Sequence, residues 1–184
     1  MKSLSLFFIL ISLLPIQVGH ATCLGDLNSL FLRHDDVGYP PLVAQIQDQN
    51  CGPAALRSWL LSKGIHLSES ELAVILKTNA NGTEASDFIA GLKHLRFDAE
   101  FKKNLTLNDL SLAQAEGKGV LVNIQLEGEG HWALLVKIGE EITLMDPWIA
   151  RNKNYQFLSP EKFLKSWFGH NGGSLSPHAA IFIK

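Results

Sequence analysis

Between Asp109 and Val120 the hydrophobic period of this 184-residue chain changes, and that change limits the fold more than any other feature. Upstream, apolar residues recur at helical spacing. The first helix is expected to follow Cys51, because Ala54, Ala55, Leu56, Trp59, Leu60 and Leu61 make it apolar on most sides, as in a buried central helix. Pro53 is tolerated in its first turn and Gly64 is a reasonable stop. Ser68 with Glu71 forms a capping box for a second helix carrying Leu72, Ile75 and Leu76. Asn81-Gly82 marks a turn, and a third helix is expected from about Glu84 to Leu95. A short fourth one begins near Thr106, with Asp109 at its third position. Downstream, 120–124, 131–138 and 141–145 read as strands, with Gly139-Glu140 as a tight hairpin turn. A last helix is expected from Pro160 to Phe168, capped by Ser159, and a closing strand from Ala179 to Ile183. Helices first and an antiparallel sheet second make an α+β layout. The length suits one domain, large enough to need no disulfide scaffold.

Residues 1–21 read as a secretory signal peptide: Lys2, an apolar run from Leu4 to Leu14, Pro15, then small Gly19 and Ala21 at the −3 and −1 positions. The run is too short to span a bilayer comfortably. The expectation is export through the Sec pathway to the periplasm or the medium, with no transmembrane segment after cleavage. Cys23 lies where a lipoprotein would be acylated, but His20 fits that motif poorly, so a lipid anchor is disfavoured. Residues 22–41, with charges and Pro40-Pro41, form a lead-in expected to drape over the domain surface; 42–184 form the domain itself. Charge is nearly balanced, 16 basic against 18 acidic residues, without a basic run, which argues against nucleic acid as a partner.

Three places look chemical. Cys51 sits where loop becomes helix, and free backbone N–H groups there favour a thiolate. Gly52 is expected to leave room for a substrate carbonyl. As that carbonyl becomes an oxyanion it needs donors: the Cys51 N–H and a glutamine amide from Gln45, Gln47 or Gln49. His131, after Gly128-Glu129-Gly130, can face a cleft as general base. Asp146, before Pro147-Trp148, can accept the second imidazole N–H. A tight hairpin turning at Gly139 would set 131 and 146 nearly opposite each other. Each residue alone has a bland reading: a small apolar cysteine, a structural histidine, an Asp-Pro turn. Together they match the logic of thiol hydrolases. Trp132 and Trp148 flank the site and suit either core packing or a substrate groove. In an oxidising compartment Cys23 and Cys51 could also pair, which would silence the nucleophile, so Cys51 is expected to be free in the active form.

Over about residues 42–150 the chain resembles the C39 peptidases, papain-like domains best known for cutting leader peptides after a double glycine in bacteriocin export. The resemblance rests on Gln45, on Asn50-Cys51-Gly52-Pro53-Ala54-Ala55-Leu56, on Gly82-Thr83, on Gly130-His131-Trp132 and on Asp146-Pro147. It implies a papain-like fold with Gln45 in the oxyanion hole, Cys51 as nucleophile, His131 as base and Asp146 as its orienter. It also implies a peptide or protein substrate, with a Gly-Gly-type cleavage site as the family's best-known preference. Two departures stand out. Gly119 replaces a proline common before the first strand. The best-known members are cytoplasmic domains fused to exporters, whereas this chain carries a signal peptide.

The leading expectation is therefore peptide-bond hydrolysis through a thioester acyl-enzyme. Two rivals are acyl transfer to an amine, as in phytochelatin-synthase-like enzymes, and a non-catalytic C39-like module that only binds peptides. No cofactor is expected, and no His/Cys/Asp spacing supports a metal. His34, His66, His94 and His170 read as surface residues, and His178 as the start of a strand at the core or cleft edge. Nothing in the sequence specifies an oligomeric state.

Overall fold

The computed structural model describes residues 38–171 and 174–184. The expected signal peptide and its cleavage point, Cys23 and most of the lead-in lie outside the described residues. The helical half contains α1 (Cys51–Ser62), α2 (Glu69–Ile75) and α3 (Ala85–His94). Then come β1 (Ala99–Lys102), α4 (Leu107–Ala115), β2 (Gly119–Leu126), β3 (Glu129–Ile138) and β4 (Ile142–Met145). A 3-10 turn at Ile149–Asn152 leads to β5 (Gln156–Leu158), α5 (Pro160–Ser166), β6 (Phe168–Asn171), β7 (Ser174–Pro177) and β8 (Ala180–Ile183). Six strands form one sheet in the order β1-β8-β2-β3-β4-β5, antiparallel at every pairing, and β6 and β7 form a separate ribbon.

The sequence argument set helices against one sheet, which is the α+β arrangement found; the sheet is in fact covered on both faces. Along β2, Leu121 joins the core beneath α1, α2 and α3, together with Trp132, Leu134, Met145 and Ile181. Its neighbours Val120, Val122 and Ile124 join a second core with Leu110, Ala113, Phe163 and Trp167 of the α4 and α5 side. Successive strand residues point to opposite faces, so a strand covered on both sides reads as a continuous apolar run. That is why 120–124 showed no polar alternation.

Both capping boxes form: Ser68 and Glu71 close the start of α2, and Thr106 and Asp109 the start of α4. Ser159 Oγ accepts from Lys162 N at the start of α5. Gly119 explains the departure from the family's proline, because the indole of Trp59 occupies the space where its side chain would stand. Of the lead-in, Pro40 and Pro41 are held by their carbonyls, which accept from Tyr155 Oη and Ser58 Oγ at 2.6 Å each.

Two expectations need correction. The β3–β4 connection is not a two-residue turn: Ile138 pairs with Ile142 across residues 139–141, and the register shifts again between Leu135 and Lys137. Leu134 therefore faces Met145, the last rung, and 131 and 146 are not opposite each other. Four strands also escaped the sequence reading. β1, β5, β6 and β7 are three or four residues long, too short for alternation to stand out.

Candidate active site

The loop before α1 crosses beneath the start of the 3-10 turn, where Gln45 N donates to Pro147 O at 3.1 Å. Cys51 is the first residue of α1, buried, with a free thiol. Asn50 is the residue before the helix, yet its side chain makes no capping bond. Its Nδ2 instead donates to Oε1 of Glu69 at 2.7 Å, and Ile46 N donates to both carboxylate oxygens at 3.0 Å. Glu69, from the first turn of α2, is only 3% exposed. A buried carboxylate is tolerated when hydrogen bonds satisfy it, and here those bonds clamp the loop that delivers Cys51. The sequence reading missed Glu69, because an acid in the first turn of a capped helix looks like an ordinary dipole partner.

β3 brings His131 to the same place. Its Nε2 lies 2.7 Å from Oδ1 of Asp146, and both side chains are buried. A carboxylate can only accept, so Nε2 carries the hydrogen, which leaves Nδ1 available to Cys51 in the same cleft. Burial pushes the pKa of His131 down; the bonds to Asp146 and Cys51 and their charges outweigh it and raise it to about 9. Asp146 lies one residue past β4, and its Oδ1 also accepts from Trp148 N at 2.8 Å and Ile149 N at 3.4 Å. It thereby caps the 3-10 turn while fixing the imidazole. Its Oδ2 is buried without a partner.

Gln45 is buried at the edge of this group. Its Nε2 donates to the carbonyls of Gln47 at 3.1 Å and Asp48 at 2.7 Å, so the amide is turned onto its own loop. Gln47 and Gln49 bond to each other on the exposed side of that loop. Gly52 does not open a path for a carbonyl. A side chain there would meet Thr83 Oγ1 at 2.7 Å and the Phe88 ring at 2.9 Å, so the glycine serves the packing of α1 against α3. The two tryptophans part company. Trp132 is a core residue, edge-on to Phe88, with Nε1 donating to Thr83 O at 2.9 Å. Trp148 borders the open cleft, with the Arg151 guanidinium 4.1 Å above its ring.

A cavity of about 480 Å³ reaches Cys51 and His131 from solvent, bordered by Asp48, Glu127, Glu129 and Trp148. Glu127 and Gly128 form the two-residue turn between β2 and β3, both with positive φ (53° and 90°), as a type I′ hairpin requires. His178 is elsewhere: it stacks on Trp167, and its Nδ1 lies 3.1 Å from Leu105 O. Among the described residues no group of three or more His, Cys, Asp and Glu could hold a metal ion, and no helix is long and apolar enough to cross a membrane.

With this geometry established, comparison with known proteins decides the family. The model of the peptidase C39 family matches residues 40–171. The chain belongs to the peptidase C39 family. Among solved C39 structures it is similar to the peptidase domain of Streptococcus ComA, a bi-functional ABC transporter of a quorum-sensing pathway. The two are 26% identical with a TM-score of 0.61, over 79% of this chain and 97% of that domain. Two more distant structures share the fold. One is the double-glycine-motif protease of an AMS/PCAT transporter, solved with its leader peptide: 14% identity, TM-score 0.59, 79% and 92% covered. The other is a C39-like peptidase of Bacillus anthracis: 17% identity, TM-score 0.56, 80% and 96% covered. An uncharacterized protein of Methanothermobacter thermautotrophicus is 28% identical over 123 residues, 66% of this chain and 82% of its own length. The C39 fold is the papain-like one that the resemblance implied.

Proposed function

We propose that this C39 chain is a cysteine peptidase that cleaves a peptide or protein through a thioester acyl-enzyme, with Cys51 as nucleophile, His131 as acid and base, and Asp146 as orienter. The single observation that carries the reading is that the His131 imidazole, bonded to the Asp146 carboxylate, shares the wall of one open cleft with the Cys51 side chain. At neutral pH His131 already holds the proton of the thiol–imidazole pair, and the sulfur attacks the scissile carbonyl carbon. The oxyanion that forms is held by the Cys51 N–H at the start of α1 and by the Gln45 amide. Gln45 must first release one of its two loop carbonyls, and the 3.1 Å bond to Gln47 O is the weaker. Collapse breaks the C–N bond, His131 gives the proton to the leaving amine, and a thioester remains. Water, deprotonated by His131, then attacks that carbonyl and releases the acid and the free thiol. The double-glycine protease solved with its leader peptide is precedent for a peptide in a cleft of this fold.

The test is cleavage of a quenched peptide library together with alkylation of Cys51 by iodoacetamide at neutral pH. Cys51→Ala should abolish both. Cleavage that survives Cys51→Ala would sink the reading. For the cell, we propose Sec-dependent export, on the strength of the Leu4–Leu14 run and the Gly19-His20-Ala21 site. A mature N-terminus other than Thr22, or retention in the cytoplasm, would refute it.

A further inference from the structure

A second cavity, of about 440 Å³, also reaches Cys51; it lies between the 81–84 loop and the β2–β3 hairpin. Glu84 and Glu129 border it, and Glu129 borders the first cavity as well. Neither lining includes a lysine or arginine. Arg151, the cation beside Trp148, is engaged with Asp48 at 3.2 Å and with the Trp148 ring. No ion pair forms at Glu84, Glu127 or Glu129 among the described residues.

A separate observation lies at the wall. Asn123, on β2 directly opposite Trp132, borders this second cavity and is 2% exposed. Its Oδ1 is buried and accepts no hydrogen bond. An unsatisfied buried acceptor costs stability, and a turn of this amide in the cavity wall would bring its oxygen to a donor arriving from outside. The occupant that suits one buried acceptor and two unpaired carboxylates carries several N–H donors, a lasting positive charge at neutral pH and no acceptor, which describes lysine and arginine side chains.

We propose that the cavity bordered by Glu84, Asn123 and Glu129 is a subsite for a lysine or arginine side chain of the substrate. The proposal rests on the peptidase reading for its connection to cleavage, but the subsite itself can be tested by binding alone. A basic side chain seated there lies beside Cys51, so its peptide crosses the nucleophile. An acidic side chain meets repulsion from Glu84 and Glu129 and offers no donor to Asn123. Because the two carboxylates are partly or fully exposed, their share weakens with salt, whereas the Asn123 bond does not.

The experiment uses two readouts on the mature protein. Fluorescence anisotropy of the Cys51→Ala variant measures binding of peptides that differ only in one residue: Arg, Gln or Glu. Cleavage of the corresponding quenched peptides by wild-type protein measures kcat/KM. The Arg peptide should bind and react about tenfold better than the Gln peptide, as expected for charge-assisted hydrogen bonds partly screened by solvent. The Glu84→Gln, Glu129→Gln double variant should bring that ratio to about threefold or less, and Asn123→Leu should lower it independently of salt. Alkylation of Cys51 in these variants shows that the site is still assembled. Equal binding of the three peptides, or a preference for Arg that the double variant leaves intact, overturns the subsite. If no peptide is cleaved and Cys51 resists alkylation, the peptidase reading fails. The anisotropy ratio then still decides the subsite.

Discussion

His131 Nε2 and Asp146 Oδ1 stand 2.7 Å apart although their residues do not share a rung of the β3–β4 ladder. The ladder ends at Leu134 and Met145, so Asp146 lies beyond it, at the start of the 3-10 turn. The carboxylate is aimed by the Trp148 and Ile149 amides rather than by the strand. The pair therefore depends on the turn's geometry, and the turn depends on the carboxylate.

From this it follows that Asp146→Asn should do more than lose a charge. The carboxylate that holds Nε2–H in place disappears, and the His131 pKa should fall from about 9 toward its ordinary value of 6.5. The kcat/KM for a cleaved peptide should drop by up to about ten-thousandfold, by analogy with the orienting aspartate of the Ser-His-Asp triad. NMR titration of the ring and steady-state kinetics check both. An unchanged titration would show that Asp146 does not set the ring's charge.

The raised pKa of His131 also makes stability depend on pH. In the folded chain the ring holds its proton up to about 9; in the unfolded chain it releases it near 6.5. The stabilisation is fully present below 6.5 and is lost as pH rises through 9. Its size is on the order of 3 kcal/mol. Urea unfolding at pH 6 and pH 9.5 should show a loss of that order in wild type and little of it in His131→Gln. A parallel loss in the variant would assign it to other groups.

Glu69 is expected to matter as a support of the loop. Glu69→Leu leaves Ile46 N and the Asn50 amide without their acceptor, at a cost of about 2–4 kcal/mol. Glu69→Gln retains one acceptor oxygen and should cost less. Alkylation of Cys51 should slow in the leucine variant even at temperatures where it remains folded. Denaturant midpoints and alkylation rates read the two effects separately.

Gly52→Ala tests the packing role assigned to that glycine. The added methyl meets Thr83 and the Phe88 ring, and overpacking at such a contact costs about 1–3 kcal/mol. Thr83→Ala, which removes the Oγ1 nearest the added methyl, should relieve part of it. A neutral Gly52→Ala would restore the idea that the position is open toward substrate.

How much of this was legible beforehand depended on how locally each feature is encoded. The capping boxes of Ser68–Glu71 and Thr106–Asp109 are written within four residues and formed as expected. The meeting of Cys51, His131 and Asp146 was anticipated, but through a register that the three-residue turn at 139–141 undoes; the irregularity between Leu135 and Lys137 recovers only one residue of it. Such a shift is decided by contacts across the sheet and leaves no mark on residues 139–141. Glu69 and Asn123 were missed for the opposite reason. Their sequence surroundings are ordinary, and only the packing of α2 on the Gln45–Asn50 loop, and of β2 beside the cleft, gives them a task. Gln45 was picked from three glutamines by resemblance, and burial now separates it from exposed Gln47.

The place of β8 in the sheet has a consequence for how the molecule is made. Residues 180–183 lie between β1 and β2, the strands of residues 99–102 and 119–126. Neither of those strands has its full complement of neighbours until the polypeptide has been synthesised some sixty residues further. Long-range pairings of this kind slow folding. The hairpin that carries His131 is thus supported on one side only until residues 180–183 have been made, and the assembled thiol centre waits for them. Removing residues 180–183 should leave a chain without cooperative unfolding, in which Cys51 and His131 are not yet held together.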